Sequence, residues 1–180
     1  MSMPSSDPQS PSMRERSRAA YPALAWVCRD PGRLIAFGLG SGLVRPASGT
    51  WGTLLAWAIW VAASPAATDL YIGIFLLLAF LYGCWACDRV GKELHQPDHV
   101  GMVWDEMVAF WLVLWFSPAG LLPQALAFVL FRTFDIVKPP PIMFFDARLK
   151  GGFGVMWDDI VAAFYALVIM ALAARTGVFG

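Results

Sequence analysis

Four stretches of the chain are almost free of charge: Trp51 to Ala63, Leu70 to Cys87, Met107 to Phe131 and Ile160 to Ala174. A helix that crosses a bilayer needs about 20 apolar residues, with a usual range of about 17–25. Only the second stretch reaches that comfortably. The third is broken at Ser117-Pro118-Ala119-Gly120 and is expected to form two shorter helices turning there. The pattern therefore predicts five helices, some tilted, half-inserted or lengthened by polar turns at one end. Lipid excludes open sheet edges, so the expected fold is all-α, a small polytopic membrane helix bundle. No internal repeat of 20–50 residues is visible.

The polar positions organise the rest. The first 33 residues are rich in Ser, Pro and Arg, with Arg14, Arg16 and Arg18 clustered. No apolar run follows at once, so this segment does not read as a cleavable signal. Residues 1–32 are expected to be a polar, largely disordered cytoplasmic tail, with Tyr21 to Val27 as a short amphipathic stretch on the membrane surface. Residues 33–176 form the membrane-embedded domain. If each helix crosses in turn from a cytoplasmic N-terminus, the outer connections are Ser64 to Asp69, Ser117 to Leu122 and the C-terminal tail. Of the 13 Lys and Arg residues, only Arg175 then falls outside, which is the positive-inside asymmetry. The acids follow. Asp88, Glu93, Asp98, Asp105, Glu106, Asp135, Asp146, Asp158 and Asp159 all fall on the inner side and Asp69 on the outer. Orientation does not require this, so a polar site on the cytoplasmic face is expected.

Composition narrows the function. Hydrophobic residues make up 58% and charged residues 14% of the chain, against about 45–50% and roughly 25% in soluble domains. The mean hydropathy is +0.60. Disorder needs low hydrophobicity and high net charge, and the net charge is 0. The 13 basic residues are matched by 13 acidic ones, so the basic excess of a nucleic-acid binder is missing. Cys84 and Cys87 lie inside an apolar run and read as small helix-packing residues.

Three places set acids against apolar helix: Trp104-Asp105-Glu106-Met107, Phe131-Arg132-Thr133-Phe134-Asp135-Ile136-Val137-Lys138 and Trp157-Asp158-Asp159-Ile160. An Asp or Lys at a helix centre in lipid costs about 2.5–3.5 kcal/mol. Such acids must sit at the interface, share cations, or pair with Arg132 and Lys138. Asp98 and Asp158 taken alone are also candidate helix caps, but a cap needs one acid and the doublets have two. Hard oxygen ligands gathered on one face suit Mg²⁺, which is usually held by carboxylates together with substrate phosphate. His95 and His99 share one loop and are expected to face water; their spacing is not that of a zinc site. Gly38-Leu39-Gly40-Ser41-Gly42 and Gly49-Thr50-Trp51-Gly52 offer backbone N–H groups to an anion, or serve helix packing. Lys150-Gly151-Gly152-Phe153-Gly154 reads as a tight loop turning Asp158 and Asp159 inward, or as a plain connector. Lys138-Pro139-Pro140-Pro141 ends a helix and stiffens the exit that carries Lys138. No Gly-x-Ser-x-Gly elbow is present, and Val90 stands six residues after Cys84, where a cysteine phosphatase needs Arg. Metal-assisted hydrolysis fits the acids best. The alternatives are a carboxylate-lined cation channel or carrier, and a lipid phosphotransferase, whose motif Asp146-Ala147-Arg148 matches poorly.

At these motifs the chain resembles the phosphatidylglycerophosphatase A family. The matching pieces are the two glycine stretches, Asp98 with Val103-Trp104-Asp105-Glu106, Arg132 through Pro139, Gly151 through Met156, and Asp158-Asp159-Ile160. They run in the family's order from about Arg33 to Ala174. Ser48, Ala109 and Pro140 depart from the family's usual Pro, Gly and Trp. The resemblance implies a Mg²⁺-dependent phosphatase of the bacterial inner membrane. It would hydrolyse phosphatidylglycerophosphate, a phospholipid monoester, to phosphatidylglycerol and inorganic phosphate. No nucleic acid or protein partner is indicated. On this reading Asp105, Glu106, Asp135, Asp158 and Asp159 hold the metal. Lys138, supported by Arg132, neutralises the phosphate, and Gly40, Ser41 and Gly42 donate backbone N–H bonds to it. Asp105, Glu106, Asp135, Lys138 and Asp159 are the expected catalytic residues, with a metal-activated water or a carboxylate as nucleophile.

Overall fold

A computed structural model describes residues 21–140, 149 and 151–176. Its elements are α1 (Leu24–Cys28), α2 (Pro31–Ala36), a 3-10 turn at Gly38–Leu43, α3 (Ser48–Ala63), a 3-10 turn at Ser64–Ala66, α4 (Asp69–Glu93), α5 (Trp104–Phe116), α6 (Leu121–Val137) and α7 (Gly151–Arg175). Among the described residues all regular structure is helical. The five long helices are the five expected ones, with the third apolar stretch divided where Ser117 and Gly120 flank α5 and α6.

Helix α5 has only 13 residues, about 20 Å at 1.5 Å per residue. It is the enclosed element. Trp104, Met107, Val108, Ala109, Phe110, Trp111, Val113 and Leu114 are all buried, so an all-round apolar helix finds partners on every side. Helix α7 packs on α4, α5 and α6, and α3 packs on α5. Buried indole N–H groups need acceptors, and here they tie helices together. Trp104 Nε1 donates to Ala79 O at 3.0 Å and Trp111 Nε1 donates to Ala56 O at 2.8 Å. Trp57 Nε1 donates to Gln124 Oε1 at 2.7 Å.

Outward, α4 exposes Leu70, Tyr71, Ile74, Phe75, Leu77, Leu78 and Leu81, and α7 exposes Phe164, Val168 and Leu172. Helices α4 and α7, each of 25 residues, are long and apolar enough to cross a membrane. Such a belt is a liability in water and suits a hydrocarbon solvent. The architecture is that of a small helical membrane protein.

The helices reach further at one end than the apolar runs do. Helix α7 starts at Gly151 instead of near Ile160, so Gly151 through Gly154 is not a loop. A Cβ at Gly152 would lie 1.8 Å from Cys84 O. The glycine there lets α4 and α7 touch by backbone, which outweighs its low helix propensity. Asp158 is therefore well inside a helix and not a cap, and the residue preceding α5 is Val103, not Asp98. His99 is buried rather than water-facing, with its ring against Tyr21 and Phe37; His95 is exposed. The boundary expected after residue 32 falls inside α2. Asp30 caps α2 by accepting from Arg33 N–H at 3.1 Å, and Arg89 of α4 donates to both Asp30 oxygens at 3.2 and 2.9 Å. Arg33 and Arg89 both pair with Glu93, at 2.8 and 3.0 Å. This network fastens α1 and α2 onto the end of α4. Residues 1–20, Pro141, Asp146, Ala147, Arg148 and Lys150 lie outside the described residues.

Candidate active site

Helices α3, α5 and α7 begin, and α6 ends, at the same end of the bundle. That connectivity delivers the acids of three separate segments to one place. A cavity of about 280 Å³ is lined there by Asp98, Asp105, Glu106, Asp135, Asp158 and Asp159, with Arg132 and Lys138 among them and Ala47, Ser48, Gly49 and Val100 on the α3 side. Asp105 and Glu106 come from the first turn of α5, Arg132 and Asp135 from the last turns of α6, and Asp158 and Asp159 from α7.

Glycines set the approach of α5. The Gly38–Leu43 turn and the start of α3 clamp residues 101–106. Gly42 lies against Gly101 O, Gly52 against Val103, and Gly49 against the Glu106 carboxylate; a Cβ at these three positions would come within 1.9, 2.8 and 2.0 Å. Ser48 Oγ donates to Val100 O at 2.5 Å and Val103 N–H donates to Ala36 O at 3.0 Å, fixing the same segment. Lys138 closes α6 in a left-handed conformation (φ 43°), with its N–H donated to Phe134 O at 2.9 Å. That turn carries its side chain to Asp158, with Nζ donated to Oδ2 at 2.5 Å.

The two cations are shared among the acids. Arg132 Nη1 lies 3.0 Å from Glu106 Oε2 and 2.6 Å from Asp135 Oδ2. These are ion pairs by distance, but neither is aligned as a hydrogen bond. Arg132 Nε and Nη1 and Glu106 Oε2 thus keep hydrogen-bonding capacity at a buried point. Asp105 and Asp159 are 8% and 3% exposed, and among the described residues neither has a cation within ion-pair distance. Asp105 Oδ1 accepts from Glu106 N–H at 3.0 Å, whereas among the described residues Asp159 Oδ2 has no hydrogen-bond partner. An orphaned buried carboxylate oxygen facing a cavity is costly unless something binds it.

The expected acids and both bases are thus brought together. Gly40, Ser41 and Gly42 are not among the cavity's lining residues. The Gly40 and Gly42 N–H groups donate to Phe37 O at 3.0 and 3.1 Å, and Ser41 Oγ donates to Gly38 O at 2.6 Å. Those donors are spent inside the turn. Ser48 and Gly49 line the cavity in their place; Gly49 opens the second glycine stretch that the sequence offers to an anion, whereas Ser48 stands out in the sequence only as a departure from the family. The usable signal was Gly49 and Gly52, three residues apart and hence on one helix face. Asp98, weighed as a cap, also lines the cavity.

Every candidate metal ligand here is a hard oxygen, and none of the lining residues is His or Cys, so the donor set suits Mg²⁺ rather than zinc. Among the described residues no three of these groups stand close enough to form a ready-made cage. Arg132 and Lys138 occupy Glu106, Asp135 and Asp158. Asp98, the sixth acid of the cavity, has an interaction of its own, so Asp105 and Asp159 are the acids left to hold a divalent cation, with the orphaned Asp159 oxygen as the observation that fits one.

Residues 34–174 match the sequence profile of Phosphatidylglycerophosphatase A. The chain is 42% identical over 142 residues to the Phosphatidylglycerophosphatase A of Haemophilus influenzae, covering 78% of this chain and 87% of that one. To the protein of that name in Escherichia coli it is 37% identical over 134 residues, covering 74% and 77%. A Bacteroides thetaiotaomicron protein provisionally named a phosphatidylinositol-3-phosphatase is 37% identical over 147 residues, covering 78% and 91%. No solved structure matches the chain.

Proposed function

The chain belongs to the phosphatidylglycerophosphatase A family, and from that premise we propose that it removes the terminal phosphate of phosphatidylglycerophosphate with Mg²⁺ as cofactor. Its class is phosphoric monoester hydrolase. The reaction is placed at the inner face of a bacterial cytoplasmic membrane, with lipid tails along the helices and the headgroup in the acid-lined cavity. The N-terminus is cytoplasmic, following the distribution of Lys and Arg.

One observation carries this reading. Three helices bring carboxylates and two cations to a single cavity, and Asp159 Oδ2 and Arg132 Nε and Nη1 are buried there without hydrogen-bond partners among the described residues. The donors of Arg132 suit a phosphoryl oxygen, and Lys138 adds a second positive charge beside Asp158. Asp105 and Asp159 would hold Mg²⁺, and Glu106, Asp135 and Asp158 are the further carboxylates available to it. Bound there, Mg²⁺ supplies electrostatic stabilisation of the phosphoryl charge. Hydrolysis breaks the bond from phosphorus to the glycerol oxygen and forms one to a water oxygen. The leaving oxygen ends protonated as the alcohol. With no imidazole or thiol lining the cavity, proton transfer falls to the carboxylates.

A carboxylate-lined cation path is the weaker reading, because an ion path needs acids through the membrane depth. Here they crowd one end of the bundle. The test is phosphate release in detergent from a panel of phospholipid monoesters, with and without Mg²⁺. Fastest release from phosphatidylglycerophosphate, lost on chelation, is expected. No release from that lipid would sink the proposal.

A further inference from the structure

Phosphatidylglycerophosphate carries two phosphates, the terminal monoester and the diester that joins the headgroup to diacylglycerol. The cavity's own cations pair with its acids and, in the proposed reaction, serve the terminal phosphate: Arg132 lies between Glu106 and Asp135, and Lys138 lies on Asp158. A second anion needs a second cation nearby. Arg45 has no carboxylate within ion-pair distance among the described residues. It is exposed, and its guanidinium lies over the Tyr21 ring, 3.9 Å being the corresponding distance for Arg33 over Trp26 and 3.5 Å for Arg45.

Two independent features tie Arg45 to residues that line the cavity. Along the chain, Ala47, Ser48 and Gly49 follow it closely and all line the cavity. Through space, the Tyr21 ring that carries it meets His99 edge-on, with centroids 5.1 Å apart. His99 sits between Asp98 and Val100, which line the same cavity. The bond from Ser48 to Val100 O closes the circuit. Stacking on a ring orients the guanidinium plane while leaving its N–H edge open to an oxyanion.

Resting on the proposed activity, we infer that Arg45 binds the diester phosphate of the substrate, so that the enzyme selects lipids bearing a second phosphate beyond the scissile one. Arg45 is then a specificity residue that touches substrate away from the reacting atoms, and Tyr21 positions it.

The test measures the Arg45→Gln and Tyr21→Leu variants in detergent at fixed lipid mole fraction. Two competitors separate the subsites. Short-chain phosphatidylglycerol keeps only the diester, and inorganic phosphate resembles only the monoester; diacylglycerol controls for surface dilution. In Arg45→Gln, KM for phosphatidylglycerophosphate and the inhibition constant of phosphatidylglycerol should rise together by about tenfold, the worth of one charge-assisted hydrogen bond net of hydration. The value of kcat and the inhibition constant of phosphate should stay within about twofold, within the scatter of a contact not made at the reacting centre. Tyr21→Leu should give a smaller change of the same kind, and Arg45→Lys should recover part of the loss. If phosphatidylglycerol does not compete in the unaltered enzyme, or the inhibition constants of phosphatidylglycerol and inorganic phosphate shift by the same factor, or neither shifts, the inference is overturned. An unaltered enzyme that releases no phosphate fails the proposed activity itself, a separate result.

Discussion

The carboxylate of Glu106 rests directly on the backbone of Gly49, so closely that a Cβ at residue 49 would fall 2.0 Å from Oε1. The absence of a side chain on α3 therefore sets the position of an acid on α5. By helix propensity alone, Gly49→Ala would be stabilising by about 1 kcal/mol. The contact reverses the expectation for activity. Glu106 must move, and Arg132, which it contacts, must move with it. Displacing catalytic groups by about 1 Å can cost about 100-fold, so phosphate release should fall by about 10- to 100-fold while the helical circular-dichroism signal persists. Unchanged turnover would show that Glu106 has room to spare.

Asp159 presents a conflict between stability and use. Its buried Oδ2 lacks a hydrogen-bond partner, and Asp135, Asp105 and Asp158 crowd the same cavity. Without metal, Asp159→Asn should raise the unfolding temperature by a few degrees, the scale of about 1 kcal/mol in a domain of this size, by removing one acid from a buried cluster of acids. With Mg²⁺ the order should invert. The unaltered protein should gain stability on titration with Mg²⁺, and Asp159→Asn should gain little. Its phosphate release should fall by at least about 100-fold, since metal-assisted charge stabilisation contributes several kcal/mol. Asp105→Asn should behave likewise. A metal-induced rise in melting temperature that survives both substitutions would remove these residues from the metal site.

Lys138 and Asp158 can be separated by a double substitution. Asp158 is almost buried and Lys138 is partly so, and their heads meet at 2.5 Å. Removing one partner of a fully buried pair costs about 3–5 kcal/mol. Here solvent at Lys138 reduces that figure. Lys138→Met should therefore destabilise, and Lys138→Met with Asp158→Leu should recover stability. Activity should not recover if Lys138 serves the phosphate as proposed, since both variants lack its charge. Melting curves and phosphate release on the three proteins check this; recovery of turnover in the double variant would make Lys138 purely structural.

The sequence displays its apolar runs openly, and the five helices and the common end for the acids follow from them. Positive-inside counting needs only charges and loop order, and it assigns Asp105, Asp135 and Asp159 to one side of the bundle without reference to any contact. The helix ends were less visible because tertiary contacts decide them. Gly151 through Gly154 reads as a loop by propensity, yet the close approach of Gly152 to Cys84 makes it helix. The first glycine stretch reads as an anion cradle, yet Phe37 O absorbs two of its N–H groups. His99 reads as a polar loop residue, yet its imidazole Nδ1 accepts from Gly101 N–H at 3.0 Å between two aromatic rings. In each case the deciding partner lies far away in sequence or across a turn, where no local pattern records it.

The Asp30–Arg89 pair gives a pH test at a point distant from the cavity. The hydrogen bonds from Arg89, together with the Arg33 N–H, hold the Asp30 carboxyl below the usual carboxylate range. A depressed folded-state pKa means that the ionised form is favoured by folding. The contribution is therefore fully present above the unfolded value of about 3.9 and disappears as pH falls through the lower folded value. Asp30→Asn should lower the unfolding temperature at pH 7, where the unaltered protein has both the cap on α2 and the tie to α4. Near pH 3 the difference should shrink, because the carboxyl of the unfolded chain is then mostly protonated and the folded state no longer gains its full advantage from holding it ionised. Thermal unfolding of both proteins across pH 3–7 in one detergent measures it. The charge contribution is excluded if the difference is equally large at both ends of that range, which would leave only the loss of the cap geometry that Asn keeps in part.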